Sequence, residues 1–190
     1  CIAEIKNSPM PVSIIVTTTS ISGRNKAKEM QEVDYALLMP FDFSLLMNKA
    51  FSIIRPNIFI ITETELWPNM ILASRNYAAN RYLINARISN YSFQSYKKLT
   101  ILLKYLLAVF NKIYCQSELD RERFIALGAS INSVKSIGNT KYDIKYELPQ
   151  QAKIRDEYGI SQNEKVILFA SVRPDEESEI IRLIYDLYKT

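Results

Sequence analysis

The chain has 190 residues, 24 basic against 20 acidic side chains and a formal net charge of +4, a length that suits one domain and part of another. With 48% hydrophobic and 23% charged residues it reads as globular rather than disordered. It contains no histidine, which excludes His general bases, Ser-His and Cys-His nucleophile pairs and His-containing zinc sites from this segment. Acid-base work must then fall to carboxylates, Lys or Tyr.

In chain order, Ile2 to Lys6 read as the end of an amphipathic helix. Short apolar, β-rich runs follow at 12–16, 35–38, 58–61, 82–84, 113–115 and 134–137. Helical patterns lie between them near 23–31, 43–54, 66–79, 95–110 and 117–127. Several of the strands are continuously hydrophobic, as expected of a parallel sheet covered on both faces. The alternation predicts an α/β fold, a Rossmann-like doubly wound parallel sheet. Gly128 suits the left-handed position that ends the 117–127 helix. After Gly138 the pattern becomes polar and aromatic, a short helix at 151–158 ends at Gly159, and a strand at 166–170 leads into a helix from Asp175. That last pair is one β-α unit of a second Rossmann-like domain. Both ends look cut, so a fragment is expected. Cys1 and Cys115 cannot form a disulfide framework and are expected to be small buried hydrophobes in a reducing compartment. No run approaches the roughly 20 apolar residues of a membrane span.

Ligands of open α/β sheets gather beyond the carboxyl ends of the strands. Four loops there stand out. Glu63 and Glu65 follow strand 58–61 and place two carboxylates where a base or a sugar-hydroxyl ligand could sit, although Glu65 could merely complement a helix dipole while Trp67 fills a core gap. Arg87, after strand 82–84, can grip a phosphate or carboxylate in a planar fork, and Ser89 can cap the next helix. Gly138, Asn139 and Lys141 follow strand 134–137, where glycine lets the backbone lie close to a ligand, while Lys141 and Asp143 could equally be a solvent-facing pair. Ser171, Arg173, Glu176 and Glu177 open the last helix, where first-turn acids are routine. The Thr17–Gly23 turn lacks the Gly-Lys-Ser/Thr of a nucleotide-triphosphate loop, yet Thr18, Ser20 and the backbone amides of a helix start could hold an anion.

Charge is unevenly spread. Between Leu66 and Ser117 there is no Asp or Glu, while Arg75, Arg81, Arg87, Lys97, Lys98, Lys104 and Lys112 interleave with Trp67, Tyr91, Phe93, Tyr96 and Tyr105. Such a stretch suits an anionic partner, and Lys97 and Lys98 are candidates to contact it. A dispersed solvated face is the plainer alternative.

At these loops the sequence resembles the bacterial Kdo transferases, which act on lipid A precursors (Kdo is 3-deoxy-D-manno-octulosonic acid). The resemblance is carried by the Thr17–Gly23 turn, Met39-Pro40-Phe41-Asp42, Glu63-Thr64-Glu65-Leu66-Trp67-Pro68-Asn69, Asn85-Ala86-Arg87-Ile88-Ser89, Gln116-Ser117-Glu118 with Arg123-Phe124 and Leu127-Gly128, Gly138 to Asp143, and Ser171 to Glu177, in that order. It implies a GT-B architecture: residues 1–145 as an acceptor-side Rossmann-like domain lacking its first strand, 146–162 as a linker region, and 163–190 as the start of a donor-binding domain. It further implies inverting transfer of Kdo from CMP-Kdo to a lipid A precursor at the cytoplasmic face of the inner membrane, on an anionic membrane surface, with no metal and no cofactor. The family's main base, a Glu in a Ser-x-Gly-Glu motif, would fall a few residues before Cys1. Ala170, Val172 and Asp175 stand where the family commonly has Gly, Thr and Gly. The alternatives are another GT-B enzyme using a nucleotide sugar, or a non-enzymatic basic α/β module. No nucleic-acid motif is present, and no nucleic-acid partner is expected.

Overall fold

The computed structural model describes residues 2–9, 11–143, 151–161 and 163–188. Cys1 lies outside the described residues. The chain forms two compact units, Cys1–Ile144 and Lys145–Thr190.

In the first unit α1 (Ile2–Lys6) leads to β1 (Ile15–Thr18), then α2 (Ile21–Lys28), β2 (Tyr35–Leu38), α3 (Ser44–Ile54) and β3 (Ile58–Thr62). α4 (Pro68–Tyr77), β4 (Asn80–Ala86), α5 (Asn90–Lys97), α6 (Thr100–Leu107), β5 (Lys112–Cys115), α7 (Glu118–Ala126) and β6 (Val134–Ser136) follow, and a 3₁₀ turn covers Thr140–Asp143. Every pairing is parallel, as the apolar strands predict. The strands fall in two sheets, however: β1 pairs β2, and β3, β4, β5 and β6 pair in sequence order. Among the described residues β1 and β3 therefore each keep an unpaired edge.

Local chemistry sets the element boundaries. β1 begins at Ile15 rather than residue 12, because Asp34 takes the Ile14 N–H at 2.7 Å and the ladder with β2 starts only at Ile15–Tyr35. Asp34 also holds Lys6 at 2.7 Å, which ties α1 to the start of the sheet. α2 begins before Gly23, since Ser20 caps it by accepting the Gly23 N–H. The single helix expected over 95–110 is two helices. Ser89 caps α5, and the chain breaks at Leu99 (φ −115°, ψ 22°) before α6.

The core lies between β3–β6 and their helices. Met47 and Phe51 of α3 meet Ile71 of α4 there, with Leu83, Ile113, Leu106, Leu107, Phe124 and Leu127. Gly128 is left-handed (φ +103°), and its Cα approaches α6 so closely that a Cβ would sit 2.7 Å from that of Lys104. Cys115 is a buried free thiol, as expected, and burial followed by the Asp120 charge pushes it up to about 12. It is not a nucleophile at neutral pH.

The second unit holds α8 (Gln151–Glu157) and α9 (Glu177–Tyr188). The strand expected at 166–170 does not form. A parallel strand needs a neighbour for its ladder, and among the described residues of this unit there is none. Val166, Ile167 and Leu168 are exposed instead.

Candidate functional site

The carboxyl edge of the sheets gathers most of the residues singled out in the first unit. Between the open edges of β1 and β3 lies a cleft-like gap of about 270 Å³, the place of the first strand that the resemblance implies, with Thr17, Thr18, Thr19 and Ser20 on one side and Ile60, Thr62, Glu65 and Trp67 on the other. Phe59, Met39 and Met70 contribute apolar surface to it. Thr18 Oγ1 donates to the Ser20 carbonyl at 3.0 Å, which fixes the turn and aims the start of α2 at this edge.

Neither plain reading of Glu65 and Trp67 holds. Trp67 is 41% exposed, and its indole N–H donates to Glu65 Oε2 at 2.7 Å. Glu65 is thus oriented at the cleft wall, and the start of α4 is served by a different carboxylate. Asp42 accepts the Met70 N–H at 2.8 Å and the Asn69 N–H at 3.1 Å, while Asn69 Nδ2 returns to the Asp42 carbonyl at 2.7 Å. These bonds fasten the loop after β2 to α4. The Phe41-Asp42 and Pro68-Asn69 pairs in the sequence could have suggested the contact only if the β2 and β3 loops were known to meet.

Glu63 stands apart from the cleft. Its backbone is left-handed (φ 62°), as is that of Asn85 (φ 54°) at the end of β4. Such conformations cost about 1–3 kcal/mol in a non-glycine residue and persist where the surroundings enforce them. Glu63 Oε1 lies 3.7 Å from Lys141 Nζ, so Lys141 pairs across the sheet edge with Glu63, while the Asp143 side chain lies outside the described residues. Both side chains are well exposed, and such a pair contributes little stability in itself. Its interest is its place at the strand ends.

Arg87 is exposed, and its N–H donates to Thr64 Oγ1 at 3.0 Å while Thr64 Oγ1 donates back to the Arg87 carbonyl. This locks the β3 and β4 loops together and leaves the guanidinium at the surface. Ser89 acts as a helix cap, accepting the Ser92 N–H at 3.1 Å. The buried Asp120 accepts the Ile88 N–H at 2.8 Å, and Arg123 donates to the Ile88 carbonyl and to Asn90, so α7 grips the Arg87 loop from beneath. Gly138 is left-handed (φ +91°), and Asn139 bonds Gln116 at the end of β5. Lys97 lies 4.7 Å above the Phe93 ring, and Lys98 is exposed at the end of α5.

Ser171, Arg173, Glu176 and Glu177 belong to the second unit. Ser171 is left-handed (φ 58°), the Arg173 N–H donates to the Glu176 carboxylate at 3.1 Å, and Glu177 opens α9. Here Glu176 closes a helix-start loop with the Arg173 backbone, and no ion pair with the Arg173 guanidinium is formed. Among the described residues no group of three His, Cys, Asp or Glu side chains could hold a metal ion.

Parallel strands joined through helices define the class, a Rossmann-like α/β domain with hydroxyls, carboxylates and cations at its strand ends. Within that class the comparisons are specific. The family described as 3-deoxy-D-manno-octulosonic-acid transferase (kdotransferase) matches residues 1–144. The chain is 31% identical over 182 residues to the 3-deoxy-D-manno-octulosonic acid transferase of Rickettsia prowazekii, covering 96% of this chain and 39% of that protein. It is 30% identical over 189 residues to a bifunctional glycosyltransferase/methyltransferase of Fusobacterium nucleatum, covering 98% of this chain and 29% of the relative. The 3-deoxy-D-manno-octulosonic acid transferase of Chlamydia trachomatis serovar A is 27% identical over 166 residues, covering 85% of this chain and 38% of its own length. The chain belongs to the Kdo transferase family of glycosyltransferases, and it spans less than half the length of these relatives.

Proposed function

We propose that this chain is the acceptor-side part of an enzyme that moves Kdo from CMP-Kdo to a lipid A precursor with inversion. The observation that carries the reading is the family match over the whole first unit. In the reaction an acceptor sugar hydroxyl attacks the anomeric carbon of Kdo. The bond from that carbon to the CMP phosphate oxygen breaks, CMP leaves, and the hydroxyl proton passes to a carboxylate. Ser20 and the first-turn amides of α2 supply donors for an anionic group, Thr18 fixes that turn through its bond to the Ser20 carbonyl, and Glu65, held by Trp67, accepts from a sugar hydroxyl.

The same reading places the enzyme on the inner membrane's cytoplasmic face. In support, α5 and α6 expose Lys97, Lys98 and Lys104 beside Leu99, Ile101, Leu102 and Tyr105, and Ile101 is 91% exposed. Cations next to apolar side chains match the headgroup and acyl boundary of an anionic bilayer. Among the described residues no helix is long and apolar enough to cross a membrane.

The test is Kdo transfer by the full-length protein with CMP-Kdo and a lipid A precursor, because residues 1–190 alone are expected to be inactive. Glu65→Gln or Glu63→Gln should lower turnover by about 10²–10⁴-fold for whichever residue acts on the reacting hydroxyl, with little change in stability. Near-normal turnover in both variants would remove the catalytic role of this loop. A wild-type chain that accepts a different nucleotide sugar and ignores CMP-Kdo would replace the reaction.

A further inference from the structure

Lys141 and Glu63 meet at the sheet edge although they leave different strands, and the anchors of both lie on one dipeptide of β4. Asn85 is 6% exposed and left-handed, a conformation that Asn tolerates better than most residues and that glycine adopts freely. Its Oδ1 accepts the Thr140 N–H at 3.3 Å. Its carbonyl accepts from Gln116 Nε2 at 3.0 Å, and Gln116 Oε1 accepts from Asn139 Nδ2 at 3.2 Å. Asn139 Oδ1 then takes the N–H of Lys141 itself at 3.0 Å. On the other side, the Glu63 N–H donates to the carbonyl of Ile84 at 2.9 Å, one residue before Asn85. A buried amide at an apolar strand end is costly unless it is bonded, and this one is bonded to the turn that carries Lys141.

Resting on the transferase reading, we propose that Asn85 is a positioning residue. It holds the Asn139–Lys141 turn so that the Lys141 ammonium stands beside Glu63 and takes an anionic group, carboxylate or phosphate, of one sugar substrate. Glu63 keeps that ammonium in place between turnovers. A merely structural Asn85 would support the fold without affecting how Lys141 meets a ligand.

The experiment uses the full-length protein with Asn85→Gly, Asn85→Asp, Lys141→Ala and the Asn85→Gly/Lys141→Ala double variant. Glycine suits the left-handed backbone, so Asn85→Gly removes the side-chain clamp while sparing the main chain. Its thermal midpoint should stay close to wild type while KM for one anionic substrate rises about tenfold, as for loss of a charge-assisted contact. Separate KM values for CMP-Kdo and for the lipid acceptor show which substrate supplies the anion. Lys141→Ala should raise the same KM, the double variant should be no worse than Lys141→Ala, and Asn85→Asp, which keeps an acceptor for the Thr140 N–H, should restore KM to within about twofold. A second readout needs no turnover: acylation of the Lys141 amine, mapped by mass spectrometry. It should speed up in Asn85→Gly to the rate seen in Glu63→Gln, with Asn85→Asp near wild type. Unchanged KM for both substrates in Asn85→Gly, additive losses in the double variant, or labelling indifferent to residue 85 each overturn the proposal. If labelling responds as expected but wild-type chain turns over no CMP-Kdo, the anchoring by Asn85 is upheld and the reaction assigned above fails.

Discussion

Single residues at this edge are held by partners distant in sequence, and that decides which of them could be read in advance. Ser89 was legible as a cap because a cap acts within its own turn, and Ser92 is three residues away. Glu63 was legible as a strand-end carboxylate, but its pairing with Lys141 was not, because the two are joined only through the order of β3 to β6. Asp42 stands out in the sequence only within the Met39–Asp42 block, because its hold on α4 depends on two loops meeting. Asp34 is a similar case. The Lys6 ammonium first, and the Ile14 N–H second, hold its carboxyl below the usual carboxylate value, against a smaller opposing effect of burial. A group whose folded value is depressed stabilises the fold above its unfolded value, and that stabilisation is lost as pH falls through the folded one. Asp34→Asn should therefore lower the thermal midpoint at neutral pH and lower it progressively less below about pH 4, where the unfolded carboxyl takes up a proton first and the folded one follows at lower pH. Thermal midpoints measured from pH 7 down to pH 2 test this, and a gap independent of pH would refute it. The effect should shrink in salt, since Lys6 and Asp34 are both partly exposed.

The elements themselves were largely readable from period and punctuation. The six strands of the first unit and their parallel sense followed from short apolar runs separated by helical patterns. Two failures have separate causes. The 95–110 pattern is continuous in hydrophobicity, yet after the break at Leu99 α6 buries Leu103, Leu106 and Leu107 while α5 buries none of its residues. The 166–170 run has strand composition, but composition cannot supply the neighbouring strand that a ladder needs. Gly128 shows an element boundary set by both conformation and space. Gly128→Ala should destabilise the first unit by more than about 1 kcal/mol, because alanine resists the positive φ and its methyl meets α6. A urea midpoint reads this directly. The loss should persist in a Lys104→Ala background, since the 2.7 Å contact is with Cβ, which alanine retains. Full stability of the alanine variant in that background would show that only the lysine side chain stood in the way.

For the molecule as a whole, charge asymmetry was legible but its consequence depended on packing. Of the seven cations between Leu66 and Ser117, Arg81 donates to the Val109 and Ala78 carbonyls, and Lys112 donates to the Asn132 carbonyl. Lys97, Lys98 and Lys104 are exposed on α5 and α6. Each cation held near an anionic bilayer adds about 1 kcal/mol, and the attraction fades within a Debye length. The chain should sediment with anionic vesicles at low salt, release at high salt and ignore neutral vesicles. Charge reversal at Lys97, Lys98 and Lys104 should abolish the binding, while reversal at Lys26 and Lys28 should not. Equal sedimentation with neutral vesicles would refute the electrostatic reading. The strand order bears on the molecule in another way. β4 and β5 are bonded on both sides, so their amides are released to solvent only when the whole sheet opens. The Asn85 network is built on the doubly bonded β4 and keeps its geometry until then.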